Sequence, residues 1–283
     1  MEPVIVSGAD AKYYDLVLGA VSSALRFRQL PQQVAVLDFG LTAAQCAHLT
    51  SIGARVVVPE DVPQVRAIIR GRSVREAALL VRPFLPQLLP GCSPIMWLDS
   101  DAWIQRKWAI NAYLDVAMDA DVVAAEERHL QYQLQPRLQL WEWRHLVKAY
   151  GLVTGTRLAM KPHVNAGVFA APANSPLWPV WQRTLLEIFN RLGTAAPYDQ
   201  MALNYCVYGA GLKSVVLDAR FNWICKRRVP SWDAALPAFS VPGALKTQAI
   251  GIIHLAGVGK EDVVQAPRVG GGTELLTLRF PAV

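Results

Sequence analysis

Asp99 and Asp101 stand one residue apart where an apolar run, PIMWL at 94–98, stops. A buried strand keeps carboxylates out of the core, so an acid pair at its end must sit at the rim, where water, a cation or a ligand compensates the charge. Asp and Ser are also ordinary turn residues, and DSD read alone fits a strand running into a turn. The chemical reading is a metal site: alternate residues leaving a strand can face one hard cation, and carboxylate oxygens suit Mg²⁺ or Mn²⁺. Three other candidate polar sites follow apolar strands: SGAD at 7–10, Asn165 within HVNAG, and His254 within IIHLAGVGK. A lone histidine at a strand end is more often a hydrogen-bonded structural residue. Beside two carboxylates, a neutral imidazole is a natural third ligand, for Mn²⁺ rather than Mg²⁺. Lys260, six residues on and after two glycines, can reach phosphates that such a metal holds.

The elements that must gather these positions are read from the pattern of the chain. VIVSG, VAVLDF and ARVVVP read as strands, alternating with helices over about Tyr13–Arg28 and 42–52. Leu16, Ala20, Ser23 and Phe27 fall at helical spacing, and Val17, Val21 and Leu25 widen that stripe for packing on a sheet. A further helix around 74–89 leads into PIMWLD. Alternating strands and helices predict right-handed βαβ units and a mostly parallel sheet, with ligands outside the carboxyl ends of its strands. Beyond 105 the chain predicts a helix in 108–118, a strand DVVAA, a Trp- and Gln-rich segment helical after Pro136, and the strand HVNAGVFAA. Trp141, Trp143 and Tyr150 in that segment either pack on the core or line a cleft. A helix over 175–191, the stretch YDQMALNYCVYGAG and the strands KSVVLD and AIGIIHLAG follow, and the tail after about 262 reads as loosely structured until LLTLRF.

Composition narrows the classes. The 283 residues are 53% hydrophobic and 18% charged, enough to bury a substantial core and too apolar for disorder. Apolar stretches fall short of the roughly 20 residues that cross a bilayer, and MEPVIVSG lacks the basic start of a signal peptide, so a cytoplasmic protein is expected. Four well-separated cysteines suggest neither a zinc site nor a disulfide framework. The net charge of +6, concentrated in arginines at 66–82 and 225–230, admits nucleic acid, an anionic membrane surface or a phosphate-bearing ligand. No nucleic-acid motif accompanies it.

Taken in order, these residues resemble the nucleotide-sugar glycosyltransferases of the GT-A fold, and within them the retaining family eight that includes glycogenin and bacterial lipopolysaccharide galactosyl- and glucosyltransferases. The resemblance runs from the first strand to about Lys260. It implies one α/β domain over 1–283 with a Rossmann-like, mostly parallel central sheet: a nucleotide-binding half at 1–125, an acceptor and catalytic half at 126–262, and a tail at 263–283. The family's first-strand motif matches Gly8, Asp10 and Tyr13, implying contacts to uridine; Lys12 stands where the family has Asn. Arg82 matches the Arg that precedes LLP at 88–90, and implies a place beside the donor sugar or diphosphate. D-x-D falls on Asp99 and Asp101, with Ser100 against the donor. H-x-x-G-x-x-K falls on His254, Gly257 and Lys260, with Glu261-Asp262 in place of the family's Pro-Trp. N-A-G-V falls on Asn165, Ala166, Gly167 and Val168. D-Q-x-x-L-N falls on Asp199, Gln200, Leu203 and Asn204, and R-F-N on Arg220, Phe221 and Asn222.

The resemblance therefore implies an enzyme that moves a hexose from a UDP-sugar to an acceptor hydroxyl with Mn²⁺ as cofactor and Mg²⁺ as the alternative. Asp99, Asp101 and His254 would hold the metal, while Gln200, Asp199 and Asn165 would form the catalytic group. Donor contacts would come from Gly8, Asp10, Tyr13, Arg82, Ser100, Ala166, Gly257 and Lys260. Without the family context, Asp199-Gln200 reads as a helix start with an exposed cap. The acceptor, whether glycan, lipid-linked sugar, protein or small molecule, is unspecified; the aromatic stretch 131–150 and the segment 226–248 are candidates to bind it. Peripheral membrane contact stays open, and no nucleic-acid partner is expected. Two alternatives stand beside this reading. A haloacid-dehalogenase-like phosphatase also places D-x-D after an apolar strand, although that motif normally opens its fold. The other is a non-catalytic protein that binds nucleotide sugars.

Overall fold

The computed structural model describes residues 1–27, 33–132, 135–244, 247–257, 260 and 263–280. Its first eight strands are β1 (Glu2–Ala9), β2 (Gln33–Asp38), β3 (Arg55–Val57), β4 (Cys92–Leu98), β5 (Ala102–Ile104), β6 (Val122–Glu126), β7 (Val164–Ala171) and β8 (Ser214–Leu217). All but β5 join one seven-stranded sheet in the order β3-β2-β1-β4-β7-β6-β8. The pairings among β3, β2, β1 and β4 are parallel, as is β6 with β8, whereas β7 runs antiparallel to both β4 and β6. Parallel β1, β2 and β4 end on one edge of the sheet. Reversed β7 begins on that edge, so Asn165 reaches it from a strand start rather than a strand end.

The remaining strands are β9 (Trp223–Ile224), β10 (Ser231–Asp233), β11 (Ala238–Ser240), β12 (Ile252–His254), β13 (Val263–Pro267) and β14 (Thr273–Thr277). β5, β12 and β9 form a small second sheet that delivers His254 beside the residues leaving β4. β13 and β14 form a regular hairpin where the sequence predicts loose structure. Gly270, Gly271 and Gly272 take positive φ at its turn, conformations that glycine adopts without a Cβ penalty.

Helices cover both faces of the central sheet: α1 (Tyr14–Leu25), α2 (Ala43–Ser51), α3 (Pro63–Ile69), α4 (Val74–Val81), α5 (Leu85–Leu88), α6 (Lys107–Val116), α7 (Pro136–Ala159), α8 (Leu177–Leu192) and α9 (Tyr198–Gly209). The alternation of a strand divides the core in two. Val4, Val6, Ile95 and Trp97 pack with α4, α8 and α9, while Ile5, Met96 and Leu98 pack with α1 and α6. The single helix expected around 74–89 is instead α4, a 3₁₀ turn at Arg82–Phe84 and α5. Pro83 and Pro86 lack the N–H that would continue the helical ladder. That break drops Arg82 into the interior, below the end of β4. α7 is interrupted at Gly151 (φ 78°, ψ 168°), and Trp143 Nε1 donates across the kink to Thr156 Oγ1 at 3.0 Å. Tyr150 stacks on Tyr205, whereas Trp141 is exposed.

Candidate active site

Residues 95, 97 and 99 share a parity, so Asp99 continues the side of β4 that carries Trp97. Trp97 Nε1 donates to Asp99 Oδ1 at 2.7 Å, and one Arg82 amino group donates to the same oxygen at 2.5 Å. The other Arg82 amino group donates to Asp199 Oδ2 at 2.6 Å. Arg82 is thus a buried strut between two carboxylates, 5.2 Å over the Trp97 ring, with its Nε unpartnered among the described residues. Asp199 lies in the first turn of α9 and is buried rather than an exposed cap. Burial pushes its carboxyl up, against the pull of Arg82 toward the charged form.

Asp99 Oδ2 faces His254 Nε2 at 3.9 Å, and Asp101 Oδ1 faces it at 3.3 Å. Asp101 Oδ2 accepts from Lys260 at 2.6 Å. Burial alone would raise the Asp101 carboxyl, but His254 and Lys260 hold it well below the usual carboxylate range. Burial would likewise lower the His254 imidazole, and Asp101 and Asp99 raise it instead. Ala256 and Gly257, at φ 47° and 93°, bend the chain after β12, and Lys260 lies 5.1 Å over the Tyr13 ring. The first-strand motif and the last motif therefore meet. Glu261 and Asp262 lie outside the described residues.

Backbone donors fix the side-chain amides around the triad. Gly167 N–H donates to Asn165 Oδ1 and Ala166 N–H to Gln200 Oε1, so both oxygens are acceptors. Asn222 Nδ2 donates to Asn165 Oδ1, which leaves Asn222 Oδ1 to accept from His254 Nδ1 at 3.0 Å. The Nε2 side of the ring is thereby turned to the two carboxylates, the outer-shell arrangement that orients a ligating imidazole. Asn165 Nδ2 donates to Gln200 Oε1 at 3.1 Å and to Glu127 Oε1 at 2.5 Å, and Gln200 Nε2 donates to Glu127 Oε1 at 3.2 Å. Every polar atom of the Asn165 side chain is engaged within the protein.

The ligand atoms of Asp99, Asp101 and His254 lie within 4.8 Å of one another. Two carboxylates and one oriented imidazole fit a divalent cation of the Mn²⁺ type. Gly167 keeps this space open: a Cβ there would lie 2.6 Å from both Asp99 Oδ2 and His254 Cε1. Gly167→Ala is expected to weaken Mn²⁺ binding about tenfold or more, the usual cost of disturbing a ligand's support, as read by calorimetric titration.

The other sequence-flagged residues sit at the same sheet edge. Asp10 Oδ1 caps the turn before α1 by accepting from the N–H groups of Lys12 and Tyr13. A Cβ on Gly8 would fall 2.7 Å from the Phe39 ring, and Phe39 lines a cavity of about 360 Å³ past the ends of β2 and β3. Ser100 and Asp101 open into a cavity of about 770 Å³ against α1. A third cavity, about 550 Å³, is lined by Glu127, Tyr132, Gln135, Glu142 and Arg227, drawn partly from the two segments expected to bind an acceptor.

Glu127 is the residue that sequence reasoning passed over. It is a buried carboxylate at the end of β6, bonded to Arg227 at 2.5 Å as well as to Asn165 and Gln200. Burial would raise it, but His163 and Arg227 bring it below its ordinary value. The signal was present, because Glu126-Glu127 follows apolar VVAA just as DSD follows PIMWL.

No protein-family model matches the chain, and no curated protein does. Among solved structures, the galactosyltransferase LgtC in complex with donor and acceptor sugar analogues matches 90% of this chain and 87% of its own at 18% identity and TM-score 0.54. Mouse xyloside xylosyltransferase 1 matches 89% of this chain and 97% of its own at 16% identity and TM-score 0.52. The bifunctional glycosyltransferase WbbM matches at 15% identity and TM-score 0.52, with 82% of this chain on 39% of that larger one. The chain has the mixed α/β fold of the GT-A glycosyltransferases.

Proposed function

We propose that this protein is a divalent-metal-dependent, retaining glycosyltransferase that moves a hexose from a UDP-sugar to an acceptor hydroxyl. The observation that carries the proposal is the convergence of Asp99, Asp101 and His254 at the sheet edge that also holds Lys260, Tyr13 and the Arg82–Asp199 pair. A bound Mn²⁺ would supply positive charge against the departing nucleoside diphosphate. Lys260 adds a second positive charge on that side, where negative charge develops as the glycosidic bond breaks. The cavity past β2 and β3 receives the nucleoside, with Asp10 turned to the ribose through the carboxylate oxygen not used for capping. Ser100, Ala166 and Gly257 complete the donor's surroundings.

Asp199 binds donor sugar hydroxyls and orients the ring, and Arg82 holds Asp199 and Asp99 in register. Gln200 presents its amide dipole beneath the anomeric carbon, where positive charge builds up. An amide whose oxygen already accepts two N–H groups is a poor nucleophile, so the acceptor attacks from the face the leaving group vacates, and the phosphate takes its proton. The acceptor enters through the Glu127-lined cavity next to Gln200. Asn165 is a positioning residue, since its side chain ties His254, through Asn222, to Gln200. A phosphatase is less well supported, because Asp99 Oδ1 is held by two donors and its Oδ2 faces a histidine.

Incubated with Mn²⁺ and a panel of UDP-sugars, the protein is expected to release UDP from at least one, and an α-linked donor should give an α-anomeric first product by proton NMR. A β product would contradict retention. Phosphate release from small phosphomonoesters, with no UDP formed, would contradict the transferase reading.

A further inference from the structure

The C-terminal hairpin builds a further, chemically different cavity. Trp103 Nε1 donates to the Leu278 carbonyl at 2.8 Å and pins the chain that follows β14 against β5. Beside this seam lies a cavity of about 570 Å³ into which four cations face: Arg26, Arg106, Lys107 and Arg279. Its walls include the rings of Phe27, Trp232 and Phe239, and no Asp or Glu lines it among the described residues. Among the described residues, none of the four cations has a carboxylate partner.

We propose that this cavity is a second binding site, for the phosphate group of an amphiphilic ligand whose apolar part lies on the aromatic walls. Like charges gathered without carboxylates repel one another, and a cleft with low-dielectric walls focuses their field on an incoming anion. The arrangement is held by neutral partners. Arg26 donates to the carbonyls of Ile104 and Gln105 at 3.2 Å and stacks 4.7 Å over Phe27 and 5.2 Å over Phe280. Burial and the neighbouring Arg106 lower the Arg26 guanidinium, in keeping with uncompensated charge. Arg279 Nε is buried with no partner among the described residues, an orphan donor of the kind a ligand satisfies. Anions alone would need only the cations. The three rings and the indole of Trp103 favour a ligand with an apolar part as well. A membrane lipid headgroup and a soluble phosphoester share this chemistry.

Octyl phosphate is the probe, titrated calorimetrically into the full chain. Arg106 and Lys107 make no side-chain hydrogen bond among the described residues, so Arg106→Gln/Lys107→Gln removes two charges without disturbing the fold, as thermal melting will verify. Octyl phosphate is expected to bind at least about tenfold more tightly than inorganic phosphate and to lose about tenfold or more in this variant. An equal charge change at exposed sites, Arg75→Gln/Arg157→Gln, should leave its affinity unchanged. Sedimentation with phosphatidylcholine vesicles containing about one third phosphatidylglycerol, lost in the Arg106/Lys107 variant, would assign the ligand to a lipid headgroup. Octyl phosphate binding without sedimentation would assign it to a soluble phosphoester. The proposal is overturned if octyl phosphate does not bind, binds no better than inorganic phosphate, or binds the Arg106/Lys107 variant as well as the native chain.

Discussion

Replacing Arg82 by methionine is expected to lower folding stability by about 3–5 kcal/mol, the cost of leaving buried charge uncompensated. Both of its amino groups are committed, one to Asp99 and one to Asp199, and its side chain is 8% exposed. Methionine fills the space over Trp97 but leaves Asp199 without its counter-charge. Adding Asp199→Asn to Arg82→Met should recover part of the loss, since it removes that charge. Urea unfolding measures both, and a loss below about 1 kcal/mol would mean that the strut carries little stability.

Asp101→Asn is expected to spare the fold and cripple turnover. It removes one of two carboxylates from the proposed metal site and deprives His254 and Lys260 of their closest counter-charge. Lewis-acid stabilisation of a leaving diphosphate amounts to several kcal/mol, so UDP release should fall about a thousandfold. Initial rates at saturating Mn²⁺ give the answer; a change within about threefold would remove Asp101 from the chemistry.

Much of this site was legible in the sequence because strand ends announce themselves. Apolar runs that stop at DSD, SGAD and IIH had to place polar groups at a rim, and parallel β1, β2 and β4 put two of those rims on one edge. What could not be read is pairing that depends on chain breaks and on a reversed strand. Pro83 and Pro86 hinted that the helix around 74–89 stops, but not that the stop would lower Arg82 between Asp99 and Asp199, whose positions in the chain are 17 and 117 residues from it. Glu127 carried the same signal as Asp99, yet its value comes from Asn165 and Gln200, which reach it across the antiparallel β7 and α9. The hairpin at 263–277 was hidden because all but Ala266 of its strand residues are exposed or half-buried, a weak pattern beside three glycines. Cys46, Cys92, Cys206 and Cys225 are free thiols. No helix of the described residues is long and apolar enough to cross a membrane.

In the proposed site two carboxylates and an imidazole hold the cation against which a nucleoside diphosphate binds. Calorimetric titration of UDP into the full chain, with Mn²⁺ and then with EDTA, tests this most directly. The diphosphate otherwise faces Asp99 and Asp101, so UDP should bind with Mn²⁺ present and lose about a hundredfold or more in EDTA, with Asp101→Asn weak under both conditions. Equal UDP affinity with and without the metal would contradict the account.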